Sequence, residues 1–127
     1  MDWHDIALGA AGIVGGGTAI FHGVLVQRLM VRPIEAALRS RKTSGTIRRL
    51  IAPLLHFSTV SWLLGAIALV AAAGCGSANA KFATGMFVGS LYLFGALANA
   101  WGSRGRHPGW MLMAAAVLLI AASLSRA

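Results

Sequence analysis

Four long apolar segments constrain the fold of this chain more than any other feature of its sequence. They cover about residues 6–26, 50–73, 82–101 and 108–124, and a helix needs roughly 20 apolar residues to cross a membrane. The chain has 127 residues and is 57% apolar, more than a soluble domain of this size could bury, because small domains have much surface for their volume. We therefore predict an all-α fold, an integral membrane four-helix bundle that forms a single domain over residues 1–127.

Basic residues are concentrated in two of the three predicted loops. Lys81 and Arg126 are the basic residues on the other side of the predicted membrane. The third loop carries Arg104 and Arg106. The first loop carries Arg28, Arg32, Arg39, Arg41, Lys42, Arg48 and Arg49. Because basic loops stay in the cytoplasm, this pattern predicts an N-out/C-out, multi-pass protein of the bacterial inner (plasma) membrane.

The first loop also contains a helical pattern, "PIEAALRSRK" from Pro33 to Lys42. Proline is well tolerated in the first turn of a helix, and good helix formers follow it. We predict a short interfacial amphipathic helix here that ends near Gly45. The basic residues of the loop are expected to attract anionic lipid headgroups in the bilayer. Nucleic acid is not an expected partner, because aromatic residues do not alternate with the basic ones.

Two histidines interrupt the first two apolar segments. His22 precedes Arg28 by six residues and His56 follows Arg49 by seven, which places the imidazoles about 9 and 10 Å inside the same membrane edge at 1.5 Å per residue. Since an unpaired polar group in an apolar medium costs roughly 2–7 kcal/mol, we predict one polar cluster centred on this pair. Its other expected members are Thr18, Thr59, Tyr92 and Asn99.

Glycines at helical spacing indicate close helix packing. Gly85 and Gly89 form a GxxxG motif in the third segment, and Gly12 and Gly16 have the same spacing in the first. Small residues let membrane helices approach closely. We predict helix–helix association through these positions, either as a homo-oligomer or as a subunit of a larger membrane complex.

The polar cluster allows several functions. A neutral histidine pair can simply hold helices in register. His22 and His56 could instead bind a b-type haem or a metal, but packed neighbouring helices lie 8–10 Å apart, so a haem would require diagonal helices or different subunits. A small oligomeric transporter or channel is a third possibility. An enzyme is the least supported class, because the sequence shows no Ser-His-Asp set, carboxylate pair or nucleotide-binding loop. Its remaining form is chemistry on a lipid, in which the cytoplasmic arginines could hold a phosphate near His107. We predict a small binding or accessory protein whose activity, cofactor and metal are unknown.

Short motifs in the chain resemble one known family. They are "GGGTAIFHG" (residues 15–23), His56, "GSLYL" (residues 89–93) and "HPGW" (residues 107–110). In this order they resemble small four-span membrane proteins of unknown function, found in bacteria and mitochondria. That family has Gly-Ala-X-Gly-Ala-His in its first helix and Gly-Ser-Leu-Tyr in its third. The chain departs from the pattern at Ile20 and Phe21. The resemblance implies a four-span fold and points to His22, His56 and Tyr92, but it implies no activity.

Overall fold

The computed structural model describes residues 1–125, and these residues form helices joined by short turns. The elements are α1 (Trp3–Val26), a π-helical turn (Gln27–Val31), α2 (Arg32–Ser40), α3 (Gly45–Cys75), α4 (Ala78–Gly102) and α5 (Gly109–Leu124). The predicted all-α fold is confirmed. Arg126, which entered the charge count above, lies outside the described residues.

Polar side chains start three of the helices where the apolar segments begin. Asp2 and Asp5 form a reciprocal capping box at the start of α1, which satisfies backbone N–H groups that have no partner within the helix. Ser44 caps α3 by accepting from the Ile47 N–H, and Ser77 caps α4. The cap at Ser44 explains why α3 begins at Gly45, five residues before the predicted apolar segment.

The helices form a four-sided bundle. α1 packs against α3 and α5, and α4 packs against the same two helices, so α1 and α4 lie on a diagonal. Tyr92 of α4 is fully buried at the centre, and its hydroxyl donates to the Trp62 carbonyl of α3 at 3.1 Å. Leu8, Leu69 and Met113 complete the core from the other three helices.

The predicted packing glycines contact helices of the same chain. A Cβ added to Gly12 would lie 2.8 Å from the Ala66 carbonyl oxygen of α3, and one added to Gly16 would lie 3.2 Å from the Ala66 Cβ. Gly85 and Gly89 face α5, where an added Cβ would lie 3.0 Å from Leu124 Cδ1 and 3.5 Å from Ile120 Cγ2 respectively. These contacts bring the helices together within the bundle. Each of the four glycines is therefore already in contact with another helix of the same chain.

Large apolar side chains cover the outside of the bundle, among them Ile13, Phe57, Phe87 and Phe94. Three helical stretches are long and apolar enough to cross a membrane, namely Trp3–Ser40, Gly45–Cys75 and Ala78–Gly102. The fourth predicted span, α5, has 16 residues, which corresponds to about 24 Å against a hydrocarbon core of about 30 Å. The chain is thus a small, multi-pass helical membrane protein.

The predicted helix in the first loop is present as α2, but it is not separate from α1. The chain passes from α1 into α2 through the π-helical turn. Pro33 explains the turn, since its ring would clash with the Leu29 carbonyl in a straight α-helix. Val26 and Val31 are both buried although five residues apart, a spacing that the i→i+5 pattern of a π-helix accommodates.

The bundle has two chemically different ends. At the end where α1 begins, Lys81 of α4 forms an ion pair with Asp5 of α1. At the same end, His4 Nδ1 donates to the Ser123 carbonyl at 2.9 Å. The other end, which we call the basic end, consists of the π-helical turn, α2, the start of α3 and the turn between α4 and α5. Its nine basic residues are Arg28, Arg32, Arg39, Arg41, Lys42, Arg48, Arg49, Arg104 and Arg106.

Candidate functional site

A cavity of about 420 Å³ lies at the basic end, where the last turns of α1 and α4 diverge. Its apolar side consists of Leu25 and Val26 from the last turn of α1 and of Leu29 and Met30 from the π-helical turn. Polar side chains elsewhere on the wall are those of His22, which also belongs to α1, and of Asn99, Ser103 and His107. The cavity therefore combines a hydrocarbon surface with a small number of polar groups, the usual composition of a ligand site.

His107 lies in the turn between α4 and α5, and its ring orientation is determined by the backbone. The Gly109 N–H donates to His107 Nδ1 at 3.1 Å. Since a backbone N–H can only donate, Nδ1 is the acceptor, and the proton of the neutral ring is on Nε2. Within residues 1–125 the ring has no other hydrogen bond, and it stacks on Phe21 with 5.9 Å between centroids. The cavity wall thus includes a free N–H donor.

His22 connects the cavity to the centre of the bundle. Its Nε2 is hydrogen-bonded to Ser58 Oγ of α3 at 3.2 Å, and its ring lies against the Trp62 indole with 4.6 Å between centroids. A narrow crevice continues inward from the cavity and is lined by Thr18, Trp62 and Met113. This crevice is too small for more than a fragment of a ligand, so the cavity itself is the candidate site.

Asn99 and Ser103 are held in place by α4. The Asn99 side-chain amide donates to the Gly95 carbonyl at 2.8 Å, and its Oδ1 accepts no hydrogen bond within residues 1–125. The Ser103 hydroxyl donates to the Asn99 carbonyl at 2.6 Å and accepts from the His107 N–H at 3.4 Å. Ser103 therefore joins the end of α4 to the turn that carries His107.

His56 lies apart from this cavity and at a different level from His22. Its Nε2 donates to Gln27 Oε1 at 2.9 Å, and Gln27 lies five residues beyond His22, or roughly 7 Å along the helix. The expectation of one shared depth was based on Arg28 and Arg49 as markers of the membrane edge. Neither arginine lies at a helix end, because the helical chain continues beyond Arg28 into α2 and α3 begins four residues before Arg49.

The other predicted members of the polar cluster do not form one network. Thr18 Oγ1 donates to the Val14 carbonyl of its own helix at 2.7 Å, and Tyr92 donates to Trp62 in the core. Thr59 packs against Gly23, and its buried Oγ1 has no hydrogen-bond partner within residues 1–125. Two of the six residues, His22 and Asn99, contribute to the cavity wall.

The histidine pair does not fit a haem bridged within one chain. α1 and α3 are adjacent rather than diagonal, and a Cβ at Gly23 would lie 2.7 Å from Thr59 Cγ2. The helices are therefore in contact between the levels of His22 and His56, and each Nε2 is hydrogen-bonded to a side chain. Among residues 1–125, no group of three or more His, Cys, Asp or Glu side chains is placed to hold a metal ion.

A larger apolar groove of about 640 Å³ lies between α3 and α4. Ser61 and Thr84 are the polar residues on its wall, and Phe57 and Phe87 flank it. Because it offers no titratable group and lies on the lipid-facing surface, we regard the smaller cavity as the site with recognition chemistry.

His107 and Ser103 were not predicted as members of the polar cluster, and His107 was considered only as a position near which the cytoplasmic arginines could hold a phosphate. His107 follows the third apolar segment and precedes "PGW", and its position in the third loop places it at the same end as the first loop. That topological signal could have identified it. The hydrogen bond from Gly109, which orients the ring, has no signature in the sequence.

Comparisons of the chain with protein-family models, with curated proteins and with solved structures give no match. The resemblance to small four-span membrane proteins therefore stays a prediction.

Proposed function

We propose that this protein is a small integral-membrane binding protein that holds an amphipathic molecule in the cavity at its basic end. The observation that carries the proposal is the division of the cavity wall. Its apolar side suits a hydrocarbon chain, and the His107 Nε2–H and Asn99 Oδ1 offer a donor and an acceptor to a polar group. The volume of about 420 Å³ is within the usual range for small-molecule sites, roughly 300–1,000 Å³.

The two histidines have different roles in this proposal. His22 belongs to the cavity wall and links it to Trp62. His56 fastens α3 to the π-helical turn through Gln27, and so supports the apolar side of the cavity from behind. Only the first of these roles involves a ligand.

Binding in the cavity requires neither an oligomer, nor a partner subunit, nor transport. A homo-oligomer or accessory subunit stays a prediction, and so does transport. The packing glycines on which association was based contact helices of the same chain, so they do not favour an external partner over an isolated bundle.

A cavity-filling variant tests the proposal. Ala98 and Ala83 are exposed alanines of α4, and they line the cavity and the α3–α4 groove respectively. We expect the wild-type protein and Ala83→Leu to retain one lipid adduct in native mass spectrometry with an equimolar mixture of phosphatidylcholine, phosphatidylethanolamine and phosphatidylglycerol. Ala98→Leu should lose that adduct, because the larger side chain occupies the cavity. Retention of the adduct by Ala98→Leu would contradict the proposal.

We further propose that the basic end faces the cytoplasm, as the positive-inside rule predicts. Cys75 is exposed at the end of α3, far from the basic end. In spheroplasts, a membrane-impermeant maleimide should label Cys75 directly. A cysteine placed at Ser40 in a Cys75→Ala background should be labelled only after permeabilisation. The reverse pattern would show the opposite orientation.

A further inference from the structure

We infer, on the basis of the cavity-binding function proposed above, that the bound molecule is an anionic phospholipid. Its phosphate lies beside His107 and the arginines of the α4–α5 turn, and one acyl chain lies along the apolar side of the cavity. Two features of the basic end support a phosphate group at this position, and the third, its charge balance, supports a headgroup with net negative charge.

The first feature is the donor set around His107. The Gly109 N–H keeps Nδ1 as an acceptor, so His107 Nε2–H is free to donate, and phosphate oxygens only accept. α5 begins at Gly109, beside this ring, and its N-cap residue Pro108 makes no side-chain cap hydrogen bond. The Gly109 N–H is bonded to His107 and the Met111 N–H to the Pro108 carbonyl, so the helix start contributes mainly its partial positive charge. Both the side chain and the helix start favour an anion at this position.

The second feature is the backbone of the α4–α5 turn. Arg104 has φ of +51°, the one positive value for a residue other than glycine within residues 1–125, and Gly105 follows with φ of +73°. The left-handed conformation is unfavourable for an L-residue other than glycine. Arg104 and Arg106 therefore lie in a tight turn between Ser103 and His107, and those two flanking residues line the cavity.

The third feature is the charge balance of the basic end. Glu35 is the one carboxylate there against nine basic residues, and it lies 3.7 Å from Arg39, so it is already engaged. Basic pockets between membrane helices on the cytoplasmic side bind anionic headgroups, and each basic side chain near the surface adds to the attraction. A neutral headgroup would leave this charge without a counterpart.

The experiment compares two double variants that remove the same charge. Arg104→Asn with Arg106→Gln changes the turn beside the cavity, with asparagine chosen because it tolerates the left-handed region. Arg41→Gln with Lys42→Gln changes the exposed residues at the far tip of the α2–α3 connection. Binding of phosphatidylglycerol, phosphatidylcholine and sodium phosphate to the full-length protein in detergent is measured by native mass spectrometry. Far-UV circular dichroism verifies that each variant is folded.

We expect the wild-type protein to prefer phosphatidylglycerol over phosphatidylcholine by about tenfold or more. The turn variant should lose about tenfold in affinity for phosphatidylglycerol, while the tip variant should lose less than about threefold. Equal losses in both variants would mean diffuse attraction and would overturn the inference. Equal binding of both lipids would overturn it while leaving the cavity-binding function intact. Phosphate that binds as tightly as the lipid would overturn the assignment to a lipid.

Discussion

Replacing Gly15 with alanine should destabilise the bundle by about 1–3 kcal/mol, whereas the same change two residues away at Gly17 should not. A Cβ at Gly15 would overlap the ring and hydroxyl of Tyr92, which is 0% exposed. The ring cannot move aside without losing its hydrogen bond to the Trp62 carbonyl. At Gly17, a Cβ meets no atom within 4 Å.

Gly17→Ala is therefore a control for helix propensity alone. Alanine favours a helix over glycine by up to about 1 kcal/mol, so Gly17→Ala should be neutral or slightly stabilising. Unfolding in sodium dodecyl sulfate, followed by far-UV circular dichroism, measures both variants against the wild type. If Gly15→Ala were as stable as Gly17→Ala, the diagonal contact between α1 and α4 through Tyr92 would be wrong.

The number of helices and their approximate positions could be predicted from the sequence, because apolar segments of this length have few alternatives. The ends were less predictable. α3 begins at Gly45 rather than near Leu50, because the Ser44 cap extends the helix into a basic segment that hydropathy alone assigns to a loop. α4 extends to Gly102, one residue beyond the prediction. Local hydrogen bonds determine such ends, and the apolar pattern does not record them.

The continuity of α1 and α2 was beyond prediction for a different reason. Pro33 is equally compatible with a new helix and with a π-helical turn that absorbs its clash. The choice depends on the packing of Val31 against the bundle and on the Gln27–His56 hydrogen bond, and both are tertiary contacts. The error in the relative level of His22 and His56 has the same origin, because the assumed membrane edge depended on where α1 ends.

The candidate site was predictable only in part. Helical spacing placed His22 and Asn99 among the inward-facing polar residues, and both line the cavity. His56 was paired with His22 because both are histidines at a similar distance from arginines. In the structure, His22 is hydrogen-bonded to Ser58 and His56 to Gln27. Pairing of unlike polar residues depends on helix register, which one sequence without an alignment does not provide.

Trp62→Ala should be the most damaging single truncation, with an expected loss of about 3–5 kcal/mol in the free energy of unfolding. The indole is 6% exposed and lies against Gly95 of α4, where a Cβ would be 2.9 Å from its Cε2. On its other side it contacts the His22 ring. Removing it leaves a void where α1, α3 and α4 meet, and this void adjoins the cavity.

Trp101→Ala is the matched control, because Trp101 is 87% exposed and makes no core contact of this kind. We expect Trp101→Ala to change the free energy of unfolding by less than about 1 kcal/mol. The effect of the same indole truncation should therefore differ severalfold between the two sites in the unfolding assay. Trp62→Phe should recover part of the loss, since it restores aromatic volume against Gly95. Equal effects at Trp62 and Trp101 would mean that lipid, rather than the bundle core, surrounds both indoles. The cavity wall at His22 would then lack the rigid support that a specific ligand site requires.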